Sequence, residues 1–455
     1  MKISDTMSGE KNTIDGDKVS IYLCGITVYD ESHIGHARTI IIFDILSRHL
    51  ESNGTSVRLV QNFTDIDDKI ILRAIKEDTT VDKISEKYIQ DYYDCFDALH
   101  VKRASEYPCA TKHILDMIEF ISKLVEKNAA YVTENGVYFA VDSFSKYGRL
   151  SKKNIKELQA GSRIKVDEHK KNYMDFALWK NSKDEPLWNS PWGKGRPGWH
   201  IECSAMCQKY LGDTFDIHGG GRDLIFPHHE NELAQSESVT GIPMAKTWMH
   251  VGMVTINGEK MSKSAGNTRS ITRLLREHSP NVIRMFCLGV HYSKPVDYTL
   301  ELLDEHRVNW NRIRLAYHML LQCTADSKND LSVIKKIKND FDAALDDDLN
   351  THEALTALNK LATHCIGLGF EMSQDGADEI IPIFESMLST FGLTINIPSS
   401  ENIAKINQMI DERNKLRKEE KYTESDTIRD ELQKMNIEIK DDAWRTLWLV
   451  KDKRD

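Results

Sequence analysis

The sequence lacks long apolar stretches and has no excess of basic residues. Each absence excludes a class of protein. Its most apolar stretch, residues 39–46 (TIIIFDIL), is far shorter than the ~20 residues that cross a bilayer, so no membrane role is expected. The 60 Lys and Arg residues against 70 Asp and Glu give a net charge of −10, which disfavours non-specific nucleic-acid binding over the whole surface. The polar N-terminus lacks the apolar centre of a signal peptide, so the sequence predicts a cytoplasmic protein.

Cysteine is sparse as well. Eight cysteines are scattered over 455 residues, whereas small secreted scaffolds have a dense cysteine framework. A chain of this length can bury a sizeable core without disulfides. The thiols are therefore expected to be reduced, and a metal site is one use for some of them.

The first part of the chain alternates between strand and helix patterns. Residues 19–30 are rich in β-branched and aromatic residues, residues 37–54 have helical apolar spacing, and residues 57–67 predict a second buried strand. This order predicts a parallel sheet with helices on its faces. Residues 110–190 have the pattern of an insertion, and nearly every segment after about residue 270 is predicted to be an amphipathic helix.

The segment His33-Ile34-Gly35-His36 stands between a predicted strand and a predicted helix. A helix N-terminus offers free N–H groups to an anion, Gly35 lets the backbone approach a ligand, and imidazoles can donate hydrogen bonds to phosphate oxygens. We interpret the segment as a phosphate-binding loop. Two surface histidines are the alternative that this segment alone leaves open, and it matches neither a P-loop nor a dinucleotide-binding fingerprint.

A second segment, residues 260–267 (KMSKSAGN), has the composition of a mobile loop. Lys260 and Lys263 lie three residues apart with the hydroxyl of Ser262 between them, so they can close on a polyphosphate and stabilise charge as pyrophosphate leaves. A solvated basic loop is the alternative. The joint occurrence with the first segment in an α/β core favours the catalytic interpretation.

Four residues are candidate metal ligands. Cys24 ends a predicted strand, Cys203 closes the segment 198–203 (GWHIEC), and His228 and Glu232 are four residues apart on one helix face. Two thiolates, an imidazole and a carboxylate suit zinc, whereas buried core cysteines are the alternative. Spacing alone does not exclude three competing ligands, which are His229, Glu230 and Cys207.

Together these segments resemble the class I aminoacyl-tRNA synthetases, and among them the cysteinyl-tRNA synthetase family. The resemblance covers essentially the whole chain. It rests on CGITVYDESHIGHAR (24–38), FTDIDDKI (63–70), GWHIECSAM (198–206), DIHGGGRDLIFPHHENELAQS (216–236) and KMSKSAGN (260–267), with weaker similarity in DDDLNTHEAL (346–355) and the C-terminal TIRDEL and WRTLW.

The resemblance implies an α/β fold with a Rossmann-like parallel-sheet catalytic core. An insertion splits this core, and a helical anticodon-binding domain follows it. The predicted parts are the first half of the catalytic domain, a connective insertion, the second half, a loop and helical stem region, and the anticodon-binding domain (1–110, 111–190, 191–252, 253–320 and 321–455).

In this family ATP and L-cysteine react to give cysteinyl-adenylate, and the cysteinyl group passes to the 3′-terminal adenosine of cysteine tRNA. The substrate carboxylate is the nucleophile, so catalysis needs only positioning and electrostatic stabilisation. By resemblance, the ATP-binding and catalytic residues are His33, His36, Lys260 and Lys263, with Gly220, Gly221 and Asp223 near the adenosine.

The resemblance also implies one zinc ion and, with ATP, magnesium. Zinc ionises a thiol of pKa ~8.5 far more readily than a hydroxyl, so the ion would select cysteine over serine where a hydrophobic pocket discriminates poorly. The implied ligands are Cys24, Cys203, His228 and Glu232, the cysteine thiolate completes the shell, and Thr64 and Trp199 line the cysteine pocket.

The resemblance also implies candidate RNA contacts and shows two departures from the family pattern. Trp444, Arg445 and Trp448 are candidates to contact unpaired anticodon bases, with an ordinary charged helical pair as the alternative. Ile26 replaces a usual Pro and is expected to leave the site intact, because Ile suits a strand. Cys109 stands where Arg is common, which puts in doubt any contact carried by that Arg.

Two other functions fit part of the sequence. A cysteine ligase that acts on an amino-sugar acceptor, as in mycothiol biosynthesis, shares the zinc site and the adenylate chemistry but lacks a long helical C-terminal module. A non-catalytic RNA-binding protein on a synthetase scaffold would be expected to have lost one of the two nucleotide-binding motifs, and both are intact. The helices show no coiled-coil seam, so a monomer is expected.

Overall fold

The computed structural model describes residues 1–153, 170–261, 266–323, 331–369, 372–441 and 446–451. The chain divides into two compact units. Unit 1 comprises residues 1–272, 292–297 and 346–349, and unit 2 comprises residues 273–291, 298–345 and 350–455. The limits of the five predicted domains stay predictions.

Strands occur mainly in unit 1, where they alternate with helices, and two lie at the end of unit 2. The strands in the described residues are β1 (Lys2–Ser4), β2 (Lys11–Thr13), β3 (Lys18–Thr27), β4 (Ser56–Thr64), β5 (Ala130–Thr133), β6 (Gly136–Phe139), β7 (Phe176–Asn181), β8 (Trp188–Ser190), β9 (Gly193–Pro197), β10 (Phe215–Gly221), β11 (Ala245–Val251), β12 (Val254–Ile256), β13 (Glu259–Lys260), β14 (Val296–Tyr298), β15 (Ile437–Asp441) and β16 (Thr446–Val450).

The helices of the described residues are α1 (Ile34–Ser52), α2 (Asp68–Lys76), α3 (Val81–Ala98), α4 (Ile114–Glu126), α5 (Trp199–Leu211), α6 (Glu230–Thr240), α7 (Ile271–Glu277), α8 (Pro280–Leu288), α9 (Leu300–Leu320), α10 (Ser332–Asp346), α11 (Thr351–Leu368), α12 (Gln374–Thr390), α13 (Ser400–Lys418) and α14 (Tyr422–Lys434). Short helical turns occur at Ala110–His113, Val141–Ser143, Arg222–Leu224 and Ile225–His229. No described helix combines the length and the apolarity needed to cross a bilayer.

The centre of unit 1 is a four-stranded parallel sheet in the spatial order β11-β10-β3-β4. Parallel sheets are covered on both faces, so their strands are apolar along their length. Ile21, Tyr22 and Leu23 in β3 are fully buried, in agreement with that rule. The structure confirms the predicted parallel-sheet α/β core.

A register shift interrupts β3 between Leu23 and Ile26, where the strand pairs with β4. At Gly25 a side chain could not fit, because an added Cβ would lie 1.5 Å from the carbonyl oxygen of Asn62. Bulges of this kind redirect the neighbouring side chains. The bulge therefore sets the direction of Cys24 at the end of the sheet.

Residues 130–197, which overlap the predicted insertion, contain a five-stranded antiparallel sheet in the order β5-β6-β7-β9-β8. Its buried side chains, among them Val137 and Trp179, share a hydrophobic core with Phe120 and Ile121 of α4. This sheet therefore packs on α4 within unit 1.

Unit 2 is mainly helical, as predicted, but the end of the chain needs a correction. Residues 437–441 and 446–450 form an antiparallel pair, with Ile439 opposite Trp448. Residues 437–440 (IEIK) alternate apolar and charged residues, whereas residues 446–450 (TLWLV) are a short, continuously buried run of apolar and β-branched residues. Both patterns favour strands over the helical pair considered from sequence.

Candidate active site

A cleft of about 340 Å³ opens where the central strands end. Ligands of open parallel sheets bind at the carboxyl ends of the strands. Thr64 ends β4 and Gly221 ends β10, so residues far apart in sequence meet at this edge. The predicted site residues that line the cleft are Cys24, His33, His36, Thr64, Trp199, Cys203, Gly221, Asp223 and His228.

The four predicted metal ligands form one buried cluster. Cys24 Sγ lies 3.7 Å from Cys203 Sγ and 3.4 Å from Glu232 Oε1. His228 Nε2 lies 2.9 Å from Glu232 Oε1. One ligand atom from each residue lies within 4.8 Å of the others, so the chain gathers donors from β3, α5, α6 and the segment before α6 at one point.

Local structure fixes each donor. Cys203 lies in the second turn of α5, which begins after Gly198, where an added Cβ would lie 1.9 Å from the carbonyl oxygen of Ala177. His228 belongs to the short helical segment Ile225–His229 before α6, and Glu232 belongs to the first turn of that helix. Residues four apart on a helical segment face the same side, which brings these two side chains together.

The four groups strongly change one another's ionisation. Burial raises the pKa of the Cys24 thiol, whereas the hydrogen bond from Cys24 lowers the pKa of Cys203 to about 6. Burial disfavours the charged form of His228, but the carboxylate of Glu232 and the thiol of Cys203 raise its pKa to about 10. Burial also opposes ionisation of Glu232, yet His228 and His218 hold its pKa well below the usual range. Two sulfur donors, one nitrogen and one oxygen around a common centre fit a zinc ion.

A second set of donors overlaps the first. Cys24, His218, His229 and Glu232 also lie within 4.8 Å of one another. His218 Nε2 lies 2.8 Å from Glu232 Oε2, and His229 Nδ1 lies 2.7 Å from His250 Nε2. The two sets share the thiol of Cys24 and the carboxylate of Glu232, so they are alternatives for one ion.

The three competitors considered from sequence have different surroundings. His229 belongs to the second set. The carboxylate of Glu230 accepts the backbone N–H groups of Gly148 and Ser151 at 2.9 and 2.7 Å. Cys207 is buried, and it belongs to neither of the two candidate ligand sets found among the described residues. Glu230 is thus engaged in holding the backbone around residue 150.

His228 has further support on the side away from Glu232. Its Nδ1 lies 2.9 Å from Nδ1 of His200, and the ring of Trp199 stacks on it with centroids 4.3 Å apart. Imidazoles that bind metals usually have a partner at their second nitrogen, which fixes the ring. Trp199, with 38% of its surface exposed, joins this support to the cleft.

His33 and His36 cap the helix α1. His33 Nδ1 accepts the N–H of His36 at 3.3 Å, His36 Nδ1 accepts the N–H of His33 at 3.4 Å, and the two rings stack with centroids 3.6 Å apart. Because both Nδ1 atoms are acceptors, a neutral ring carries its proton on Nε2. Each imidazole is therefore set up as a hydrogen-bond donor beside a helix N-terminus.

The second predicted loop begins next to this helix cap. An added Cβ at Gly35 would lie 3.0 Å from Met261 Cε. After the loop, Ile34 N–H donates to the carbonyl of Arg269 and Ile271 N–H to that of Ser32. Sequence reasoning did not predict this pairing of the two motifs. Lys263 and the side chain of Lys260 lie outside the described residues.

Some of the remaining predicted site residues line the cleft, and others pack beneath it. Gly221 and Asp223 line the cleft, whereas Gly220 packs below it, since an added Cβ would lie 2.9 Å from His229 Cε1. Ile26 is buried and lines the cleft within β3. Cys109 pairs with Phe63 through a backbone bridge, and burial raises the pKa of its thiol to about 11.

One candidate RNA contact is placed differently from the expectation. Trp448 is fully buried, and its indole N–H donates to Asn407 Oδ1 at 3.0 Å. The ring packs with Ile406, Ile410 and Leu432, so it supports the hairpin and does not offer a face to an RNA base. Trp444 and Arg445 lie outside the described residues.

Comparisons with known proteins agree with the geometry. Residues 10–308 match the family model for the catalytic domain of class I (C) tRNA synthetases, and residues 340–367 match a DALR domain. Curated cysteine–tRNA ligases from Caldicellulosiruptor saccharolyticus and Carboxydothermus hydrogenoformans are 43% and 44% identical, covering 97% and 98% of this chain and 98% and 99% of those proteins.

Solved structures show the same fold at low sequence identity. The methionyl-tRNA synthetase of Mycobacterium tuberculosis in complex with methionyl-adenylate has a TM-score of 0.64 and 14% identity, and the match covers 83% of this chain and 92% of that chain. The family match over most of the chain and the full-length relatives confirm the predicted resemblance. The chain belongs to the cysteinyl-tRNA synthetases of the class I aminoacyl-tRNA synthetase family.

Proposed function

We propose that this chain activates L-cysteine with ATP and transfers the cysteinyl group to the 3′-terminal adenosine of cysteine tRNA. The observation that carries the proposal is one cleft lined by both the His33 and His36 donors and the thiols of Cys24 and Cys203. Family membership supports ATP, cysteine and tRNA as substrates. The helical unit 2 and the DALR match disfavour the amino-sugar ligase.

In the first step, an oxygen of the cysteine carboxylate attacks the α-phosphorus of ATP. The bond to the bridging oxygen of pyrophosphate breaks, and pyrophosphate leaves. The Nε2 donors of His33 and His36 hold phosphate oxygens, and Lys260 and Lys263 stabilise the departing charge. Gly220, Gly221 and Asp223 are proposed to lie near the adenosine, and magnesium is expected to accompany ATP.

In the second step, the 2′-hydroxyl of the terminal adenosine attacks the carbonyl carbon of the adenylate. The bond between the carbonyl carbon and the oxygen that joins it to phosphorus breaks. AMP leaves with that oxygen, and its phosphate can accept the proton of the hydroxyl. The substrates supply both nucleophiles, so the chain contributes positioning and charge stabilisation. No protein nucleophile is required.

Cys24, Cys203, His228 and Glu232 are the residues proposed to hold one zinc ion, because their donor atoms suit it. When bound, the ion supplies a Lewis acid that favours the ionised thiol of cysteine over the hydroxyl of serine. Thr64 and Trp199 are proposed to contact the rest of the amino acid.

The test is ATP–pyrophosphate exchange with cysteine or serine, run beside charging of cysteine tRNA. We expect exchange with cysteine alone, together with charging. Exchange without charging would contradict the tRNA step and support a small-molecule acceptor. Comparable exchange with serine would contradict thiol selection.

The proposal also includes a monomeric enzyme that acts in the cytoplasm, with unit 2 as the part that contacts the anticodon. Light scattering during gel filtration tests the monomer, for which one chain mass is expected. A stable dimer would contradict it.

A further inference from the structure

A short hairpin leads into the segment 260–267 (KMSKSAGN). It consists of β12 and β13, and Thr255 in β12 lies opposite Lys260 in β13. Asn257 and Gly258 form the turn, with φ values of 51° and 77°. Two-residue turns with positive φ at both positions suit hairpins, because their twist matches that of the flanking strands. The turn therefore sets the register that places Lys260 in β13.

Both ends of this hairpin reach the cleft. Val254, which begins β12, and Met261, which follows β13, are among the residues that line it. Met261 also approaches the cap of α1, because an added Cβ at Gly35 would lie 3.0 Å from its Cε. The position of the hairpin therefore determines where the backbone of Lys260 lies relative to the cleft.

The hairpin alone is too short to hold a fixed position. β12 has three residues and β13 has two, and isolated two-stranded hairpins are at best marginally stable in water. β14 completes a three-stranded sheet in the order β13-β12-β14. The backbone N–H of Val296 in β14 donates to the carbonyl oxygen of Met253 at 3.0 Å. Since Met253 lines the cleft, this bond holds the end of the hairpin that is nearest to the cleft.

The side chain of Asp297 in β14 holds the opposite end. Its Oδ1 accepts the backbone N–H of Gly258 at 2.8 Å and the hydroxyl of Thr255 at 2.7 Å. These two hydrogen bonds hold the pKa of Asp297 below its usual range, so the carboxylate is ionised at neutral pH. Hydrogen bonds to an ionised acceptor are about twice as strong as neutral ones. One carboxylate oxygen thus fixes both the turn and β12.

We propose that Asp297 is a positioning residue for the activation of cysteine, because its carboxylate fixes the hairpin that carries Lys260. Asp297 is not among the described residues that line the cleft, so it acts through the hairpin and not on a substrate. The inference rests on the proposed function, since it takes Lys260 as a group that stabilises the departing pyrophosphate. It adds the element that holds this lysine in place.

The test measures kcat and KM in ATP–pyrophosphate exchange for full-length wild type, Asp297→Ala and Asp297→Asn. We expect Asp297→Ala to lower kcat about 10-fold, because a small displacement of a group that stabilises charge has a large effect on rate. The KM for cysteine and the zinc content should stay within about twofold, since the proposed zinc ligands lie outside the hairpin. Asp297→Asn keeps an oxygen acceptor and should restore kcat to within about threefold of wild type.

Two further variants separate positioning from a loss of stability. In a Lys260→Ala background, Asp297→Ala should lower kcat by less than about twofold, because the effects of residues that act as one unit do not add. Ser190→Ala is the matched control, since Ser190 fixes the turn between β8 and β9. Its Oγ accepts the N–H of Trp192 at 3.2 Å and donates to the carbonyl of Gly193 at 2.7 Å. The exchange kinetics of this control should equal those of wild type.

Four outcomes would overturn the inference. They are an unchanged kcat in Asp297→Ala, no restoration in Asp297→Asn, a full 10-fold loss in the Lys260→Ala background, and a parallel loss of kcat, cysteine affinity and zinc. The last outcome would mean that Asp297 supports only the fold. A wild-type protein without cysteine-dependent exchange would contradict the proposed function and the inference together. Normal exchange by wild type with any of the four outcomes would contradict the positioning role alone.

Discussion

Both units of the chain bury charged side chains, but the groups that surround these charges differ between the two units. In unit 2, Arg413 is 1% exposed, and its two terminal nitrogens donate to the two carboxylate oxygens of Asp441 at 2.8 and 2.7 Å. In unit 1, the buried carboxylate of Glu232 is surrounded by imidazoles and two thiols. The first group is a pair of opposite charges, and the second is a set of donors around a common centre.

The shifted pKa values reflect the same difference. The hydrogen bonds from Arg413 lower the pKa of Asp441 to about 2, which stabilises the charges already present. In the unit 1 cluster, the pKa of Cys24 rises while that of Cys203 falls, so the two thiols cannot both ionise without further positive charge. His228 and His218 compensate the carboxylate of Glu232, but the second thiol has no compensating charge of its own. A buried group left in this state marks a site that can bind a cation. This difference can be tested in each unit.

The largest expected effect is loss of a donor from the unit 1 cluster. Cys203→Ala should release the zinc ion and reduce cysteine-dependent exchange by more than about 100-fold, because loss of a supporting group alone costs 10–100-fold in comparable sites. Metal analysis and exchange assays measure this change. Cys207→Ala is the matched control, a buried cysteine one turn further along α5 that should keep both zinc and activity. Equal losses in the two variants would show that the cluster is not the metal site.

Loss of the pair between Arg413 and Asp441 in unit 2 should lower the stability of the protein and leave its chemistry unchanged. Arg413→Met should lower the free energy of unfolding by about 1–3 kcal/mol, since it removes hydrogen bonds between charged groups, and exchange should stay within about twofold. Urea unfolding followed by circular dichroism measures the first effect. Arg417→Met is the control, because Arg417 contacts the same carboxylate at 2.9 Å but is 46% exposed, and a change below about 0.5 kcal/mol is expected. A loss of exchange in Arg413→Met with stability unchanged would contradict the comparison.

The smallest expected effect is on the pH dependence of stability. The folded pKa of Asp441 is about 2, below the unfolded value of ~3.9, so its contribution is present above pH ~4 and is lost as the pH falls from 4 towards 2. Since its side chain is 41% exposed, solvent screening limits the contribution to less than about 1 kcal/mol. The difference in unfolding free energy between wild type and Asp441→Asn should shrink over that range. A constant difference would show that the carboxylate charge does not stabilise the hairpin.

Much of the core could be predicted because its signals are local. The β3-α1-β4 pattern follows from apolar periodicity, and the His228 and Glu232 pair follows from helical spacing. The contact of Cys24 with Cys203 depends on the sheet order and on the bulge at Gly25, which no local pattern gives. The resemblance supplied that pair.

Other parts of the site were missed because their partners are remote in sequence. His218 and His250 lie on neighbouring strands β10 and β11, and their closeness to Glu232 and His229 follows only from strand order. Glu202, whose Oε2 lies 2.9 Å from the hydroxyl oxygen of Thr64, had no local signal beyond its position beside Cys203. The C-terminal hairpin was missed because two five-residue strands are short, and the charged helices before them dominated the pattern.

X-ray absorption at the zinc edge tests the central claim most directly, because it counts sulfur neighbours of the ion in the full-length protein. If Cys24, Cys203, His228 and Glu232 are the ligands, the protein alone should give two sulfur neighbours, and added cysteine should raise the number to three while serine leaves it at two. A single sulfur neighbour in the protein alone would assign the ion to Cys24, His218, His229 and Glu232. That result, or a count that cysteine does not change, would contradict thiol selection by the predicted set.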